Sequence, residues 1–193
     1  MSTEKHPFEP FLPQEARILF LGSFPPPAAR WSMPFYYPNW INDFWRIMGL
    51  IHYGDKDRFC IPGEKRFDES AIREFCSREG LAFYDTACEV RRLRGNASDA
   101  FLEVVTPTDI PALLERIPDC KALVTTGQKA TEVIAERFCC AVPQIGGSVD
   151  LEIAGRSIRF WRMPSTSRAY PLPLPQKAEY YRQLWIGVQS LDL

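Results

Sequence analysis

KALVTTGQKATEVIAERF, residues 121–138, holds the pattern on which the fold turns. Its first part is a short apolar run broken at Gly127, and its second part sets Ala130, Val133, Ile134 and Phe138 at approximately helical spacing. Strand, tight turn and helix in immediate succession make a unit of a parallel sheet. RILFLG (17–22), which ends in glycine and then prolines, and LAFYD (81–85) have the same short apolar character. Both read as buried strands feeding loops.

Between and after these strands the spacing predicts helices over 41–51, 68–79, 98–105 and 108–117. The last of these is opened by Thr108 or Asp109, with Pro111 in its first turn. VDLEIAGRSIRFWRM (149–163) alternates and turns at Ala154–Arg156, which reads as a hairpin. A final helix is expected from about Gln176 to Gln189. With no repeat or long linker, residues 1–193 read as a single α/β domain, a three-layer α/β/α sandwich around a mostly parallel sheet. Such sheets bind ligands outside the carboxyl ends of their strands. GSFPPP, TACEVRRLRG and PSTSRAY are the loops expected to converge there.

A net charge of −1 gives no overall basic field, so any contact with a polyanion must come from a local patch. Arg91, Arg92 and Arg94, and separately Arg156, Arg159 and Arg162, are the groups available, though such clusters are often solvated faces. MSTEKHPFEPF lacks the apolar core of a signal peptide, and no stretch has the length of a membrane span. A cytoplasmic location is the expectation. The cysteines at 60, 76, 88, 120, 139 and 140 form no CxxC pair, and only His6 and His52 add imidazole. Reduced, mostly buried thiols and no bound metal or other cofactor are expected.

FYYPNWINDFW (35–45) crowds six aromatic rings and two asparagines into eleven residues. Phe44 and Trp45 read as core, continued by Ile47, Met48 and Ile51 along one helix face. Asn39 or Asn42 suits the cap of that helix. Tyr36 and Tyr37 should point to opposite sides if the segment is extended. Asp85, at a strand end, suits either a turn former or a carboxylate reading the N–H edge of a ligand.

GSFPP, YYPNWINDFW, FYDTACEVRRLRGNASD, TTGQKA and MPSTSRAY, taken in order from Arg17 to Trp185, resemble the uracil-DNA glycosylase superfamily. The nearest likeness is to the branch that removes hypoxanthine from DNA, with the mismatch-specific uracil glycosylases more distant. The resemblance implies a monofunctional glycosylase that flips a deaminated base (hypoxanthine, uracil or xanthine) out of DNA and hydrolyses its N-glycosidic bond in base excision repair. In the mismatch-specific relatives an asparagine of the first loop positions the attacking water. Here that slot is Phe24, and the resemblance gives the task to Asn42. It places Ser23, Phe24, Tyr37 and Asp85 at the base, with Tyr37 as the stacking ring. It makes Ser165, Thr166, Ser167 and Arg168 the loop that contacts DNA.

The chain departs from the branch at several of these positions. GSFPP lacks a glycine after its first proline, Asn39–Trp40 replaces a His-Pro pair, and Arg168 stands where proline is usual. Arg168 suits a wedge, a phosphate contact or neither. Two other functions fit the same sheet: a catalytically silent nucleic-acid binder, and a nucleoside hydrolase acting on free nucleosides.

Overall fold

A computed structural model of the protein describes residues 3–93 and 101–192. The three strands expected from the apolar runs form as β2 (Ile18–Gly22), β3 (Leu81–Asp85) and β6 (Ala122–Thr126). Consecutive residues along each are buried, which requires cover on both faces of the sheet. The hairpin forms as β7 (Ser148–Ile153) and β8 (Arg156–Met163). Its turn residues Ala154 and Gly155 have φ of 51° and 73°, the signs of a type I′ turn that matches strand twist. The sheet order is β3-β2-β6-β8-β7, parallel except for the edge strand β7.

Helices cover this sheet. α1 (Phe44–Tyr53) packs on α5 (Leu174–Gln189), α2 (Glu69–Glu79) on β3, α4 (Gln128–Arg137) on β6, and α5 also on β8. α3 (Ile110–Glu115) begins as its sequence suggests: the Asp109 carboxylate accepts from the Ala112 N–H at 3.2 Å, and Pro111 occupies the first turn. Phe20, Phe35, Phe44, Trp45, Phe83 and Phe160 sit in one continuous core, each 2% exposed or less. Each such side chain contributes about 1.5–3 kcal/mol of burial.

The segment after LAFYD departs from expectation. TACEVRRLRG is not a loop at the sheet end; its first part is β4 (Ala87–Arg92), and 102–105 is not helical but belongs to β5 (Leu102–Pro107). With β1 (Glu4–Lys5) they make a second, antiparallel sheet in the order β1-β4-β5. Val104, Val105 and Thr106 are β-branched and favour a strand once β4 supplies a partner. Residues 98–100 of the expected helix, and Arg94, lie outside the described residues.

The arginine clusters are largely spent on structure. Arg156 donates to the carbonyls of Leu114 and Pro118 at 2.8 and 2.6 Å, capping the chain that leaves α3. Arg91 pairs with Glu103, Arg92 with Glu4 and Arg159 with Asp150, while Arg162 donates to the Pro143 carbonyl at 3.1 Å. All six cysteines are unpaired, but only Cys76 and Cys120 are buried, fewer than expected. Burial pushes the Cys120 thiol up to about 12. No helix among the described residues is long and apolar enough to cross a membrane.

Candidate active site at the carboxyl end of the sheet

β2, β3 and β6 end side by side, with Gly22 in register with Asp85 and Thr126 one strand away. Above these ends opens a cleft of about 710 Å³. Ser23, Phe24, Tyr37, Asn42, Asp85, Ser165, Thr166 and Ser167 all line it, so eight of the nine residues expected at the site come together. Arg168 does not line it. The loops after β2 and β8 contribute as expected; the third contribution comes from 36–42 instead of the chain beyond Asp85.

On the floor, Asp85 is 7% exposed, and its Oδ2 lies 2.9 Å from Nε2 of His6. His6 arrives from the N-terminal segment, where its own N–H donates to the Cys88 carbonyl at 2.8 Å beside β4. Its Nδ1 lies 3.1 Å from the Phe8 N–H and 2.9 Å from the Phe8 carbonyl. A neutral ring that accepts from Phe8 N–H therefore presents its Nε2–H to Asp85, and a protonated ring does so too. Phe24 stands edge-on to the His6 ring at 5.2 Å.

Gly22 makes room for this carboxylate. A Cβ at that position would lie 2.6 Å from Asp85 Oδ1, closer than any real contact. Gly22→Ala is expected to displace Asp85 from His6 and to cost about 2 kcal/mol, the scale of a hydrogen bond to a charged group. Urea denaturation of the variant beside wild type measures it, and an unchanged midpoint would show that Asp85 moves freely.

Tyr37 has φ of 51°, left-handed and uncommon for a bulky residue. Tyr36 and Tyr37 do not divide inward and outward as extended chain would have them: both line the cleft, Tyr36 buried with its hydroxyl donating to the Glu9 carbonyl at 2.9 Å and Tyr37 half-buried. One face of the Tyr37 ring stacks on Phe44 at 3.9 Å and 3°. Its hydroxyl meets Thr126 Oγ1 at 2.7 Å. Burial, with Asp85 nearby, holds the phenol above its ordinary range despite the opposing Thr126 contact, so it stays neutral.

Asn42 sits half-buried on the cleft wall where α1 begins. Its Oδ1 accepts from the Phe44 N–H at 2.9 Å. Asn42 is thus not the cap that one reading of the sequence offered: the cap position of α1 is Asp43, whose side chain makes no capping bond, and Asn42, one residue earlier, closes an Asx turn that fixes the orientation of its amide. One lone pair is used, and the other, with the NH₂ group, remains available on a residue that faces the cleft.

The loop after β8 is tied to the start of α1. Asp43 N–H donates to the Thr166 carbonyl at 2.8 Å, and Asn42 bridges to Ser167. Asp43, 6% exposed, holds Lys177 Nζ at 3.0 Å through Oδ2 and Arg168 Nε at 3.1 Å through Oδ1. Lys177 is 1% exposed and also donates to the Ser167 carbonyl at 2.8 Å. Thr166 is buried, whereas Ser165 and Ser167 stand at the mouth and accept from the N–H groups of Ser167 and Ala169.

No protein-family model and no curated protein matches the chain. A solved structure does. The chain is similar to the solution NMR structure of a provisionally assigned uracil DNA glycosylase from Methanosarcina acetivorans, with a TM-score of 0.64 over 97% of this chain and 99% of that one, at 18% identity. At that identity the likeness bears on the fold: an α/β domain with a central, mostly parallel sheet.

His6, Thr126, Asp43 and Lys177 were not expected at the site. His6 lies 79 residues from Asp85 and Lys177 lies 134 from Asp43, and only the folded topology brings each pair together. Asp43 had a visible signal, an acidic residue beside the aromatic helix start, but nothing local names a buried lysine as its partner.

Proposed function

We propose that the protein is a monofunctional DNA glycosylase that hydrolyses the N-glycosidic bond of a deaminated base (uracil, hypoxanthine or xanthine) flipped out of DNA. The observation that carries this reading is the union, in one cleft, of an amide oriented by its hydrogen bond from the Phe44 N–H (Asn42), a carboxylate on the floor (Asp85) and a tyrosine ring in the wall (Tyr37). The likeness in fold and the sequence resemblance agree with it.

The chemistry follows from these groups. A base inside a duplex is out of reach, so the nucleotide must be extruded at a cost of a few kcal/mol. Contacts with Tyr37 and Phe24 offset part of that cost. Asn42 accepts a hydrogen bond from a water and holds it in line with the anomeric carbon as the base departs; an amide is too weak a base to do more. The sugar cation is met electrostatically, in part by the DNA's own phosphates. Among the described residues that line the cleft none is a lysine, and Lys177 spends its amine on Asp43. Among the described residues, no side-chain amine is placed for a lyase step.

Asp85 gives the site a preference among bases. A carboxylate offers acceptors only, and His6 occupies one of its oxygens. Deamination turns N3 of cytosine and N1 of adenine from acceptors into N–H donors, so uracil and hypoxanthine offer Asp85 a ring N–H that their parents lack, although the parents' amino groups are donors too and thymine, like guanine, already carries a ring N–H. Guanine already carries N1–H, so Asp85 alone does not separate it from xanthine. Ser165 and Ser167, with turn N–H groups, suit phosphate contacts, and Arg168 stands beside them, 45% exposed although paired with Asp43.

Duplexes holding a single uracil, hypoxanthine or xanthine, treated with protein and then alkali, test the reading. At least one should be nicked at the modified base, with duplexes of normal bases intact and no break before alkali. Intact DNA throughout, together with cleavage of free nucleosides, would replace it with the nucleoside hydrolase.

A further inference from the structure

His6 stands behind the cleft and does not line it: its side chain is 2% exposed, and its Nε2 lies 2.9 Å from Asp85 Oδ2. A buried histidine beside a buried carboxylate is often no more than a satisfied polar pair. Here, however, the chain is anchored on both sides of the ring. Before it, Glu4 and Lys5 pair with Val90 and Glu89 of β4; after it, Phe11 and Phe83 exchange backbone hydrogen bonds at 3.0 and 2.8 Å. Between these anchors the rings of Tyr84, Phe24, Phe8 and Tyr36 stand 4.5, 5.2, 5.9 and 6.1 Å from the imidazole. Burial holds both phenols above their ordinary range, so they stay neutral beside it. The other oxygen of Asp85, Oδ1, lies against Gly22, where a Cβ would displace it. One carboxylate oxygen is thus spent on His6, and the other is left for a ligand.

We propose that His6 is a positioning residue that sets specificity, holding Asp85 as a fixed acceptor so that cytosine and adenine are turned away. The proposal rests on the glycosylase reading and adds to it the residue that excludes two normal bases. An N–H donated to Oδ2 favours the ionised carboxylate and takes the place where the carboxyl's own proton would sit. Ionised, Asp85 has no hydrogen to offer N3 of cytosine or N1 of adenine, and its lone pairs face theirs. Without His6, Oδ2 is buried and unpaired, and burial favours the neutral acid. A protonated Asp85 donates to those same ring nitrogens while its second oxygen accepts from the exocyclic amino group, so the parent bases fit. Thymine and guanine carry a ring N–H and lie outside the reach of this device.

The test reads binding and not cleavage. Wild type, His6→Ala, His6→Met and His6→Gln are titrated onto duplexes holding one 2′-fluoroarabino nucleotide, with uracil or cytosine as its base, opposite a tetrahydrofuran abasic analogue. The fluorine disfavours the sugar cation and keeps the base attached, and neither base has a partner to leave. Wild type should prefer uracil. The preference should fall about tenfold in His6→Ala and in His6→Met, which refills the space without a donor, mainly through tighter binding of cytosine. It should return in His6→Gln, whose amide N–H donates from much the same place. A merely structural His6 weakens both duplexes alike; an unchanged preference in His6→Ala and His6→Met, a preference lost equally in His6→Gln, or wild type without a preference overturns the proposal. No bond is cut, so the outcome stands apart from the nicking assay. Wild type that nicks modified duplexes but owes its preference nothing to His6 keeps the glycosylase and loses this role, and wild type that nicks none but needs His6 for its preference does the reverse.

Discussion

Asn42→Ala is expected to slow single-turnover excision by roughly 10²–10³, the scale of removing one preorganised polar group from a transition state. The same change removes the hydrogen bond to the Phe44 N–H at the start of α1, worth about 1 kcal/mol of stability, so the variant should also melt slightly earlier. The two losses separate through Asn42→Asp. A carboxylate keeps the bond from the Phe44 N–H and accepts from water, so stability should return and part of the activity with it, while the added charge near the DNA backbone weakens binding. If Asn42 serves only α1, Asn42→Asp should behave as wild type in every measurement, and Asn42→Ala should lose stability without loss of excision at a temperature where it is folded.

The second large effect is expected at the buried pair behind the site. Asp43→Ala would leave the Lys177 ammonium, 1% exposed, with only the Ser167 carbonyl as partner. Breaking a buried pair from one side costs about 3–5 kcal/mol, because the remaining charge stays desolvated. Lys177→Met should cost less, since Asp43 keeps Arg168, whose guanidinium reaches water. The double variant Asp43→Ala/Lys177→Met should recover part of the loss. Urea denaturation of the three proteins gives the order; equal stability of Asp43→Ala and wild type would mean the pair holds nothing together. Because Asp43, Ser167 and Lys177 fasten the 165–168 loop to α1, DNA affinity should fall with stability in Asp43→Ala.

Strands β2, β3 and β6, the β7–β8 hairpin and helices α1 to α5 were legible in the sequence because each carries its own signal: a bounded apolar run, a helical period, a cap or a turn. The β4–β5 pair was not. ACEVRR alternates only loosely, and LEVVTP becomes a strand by pairing across a separation the local pattern does not reveal. The site divides along the same line. Asp85 lies at a strand end, where sheet topology places functional groups, whereas Asn42 and Tyr37 came from the family resemblance and not from any local pattern. His6 reaches Asp85, 79 residues away, through an N-terminal segment that pairs with β4 and then with Phe83, contacts that no local pattern reveals. Arg168 could be located in its loop, but not its attachment to Asp43, which takes it from the cleft.

The central claim is that Asn42 positions water for hydrolysis of an extruded base, and release of the free base measures it most directly. Wild type and Asn42→Ala, each in excess over one duplex bearing the preferred deaminated base, are followed chromatographically, with binding to the same duplex measured in parallel. Wild type should release the base at a rate roughly 10²–10³ above that of Asn42→Ala, with binding by the two proteins within a few-fold. Equal rates of base release at equal binding would contradict it.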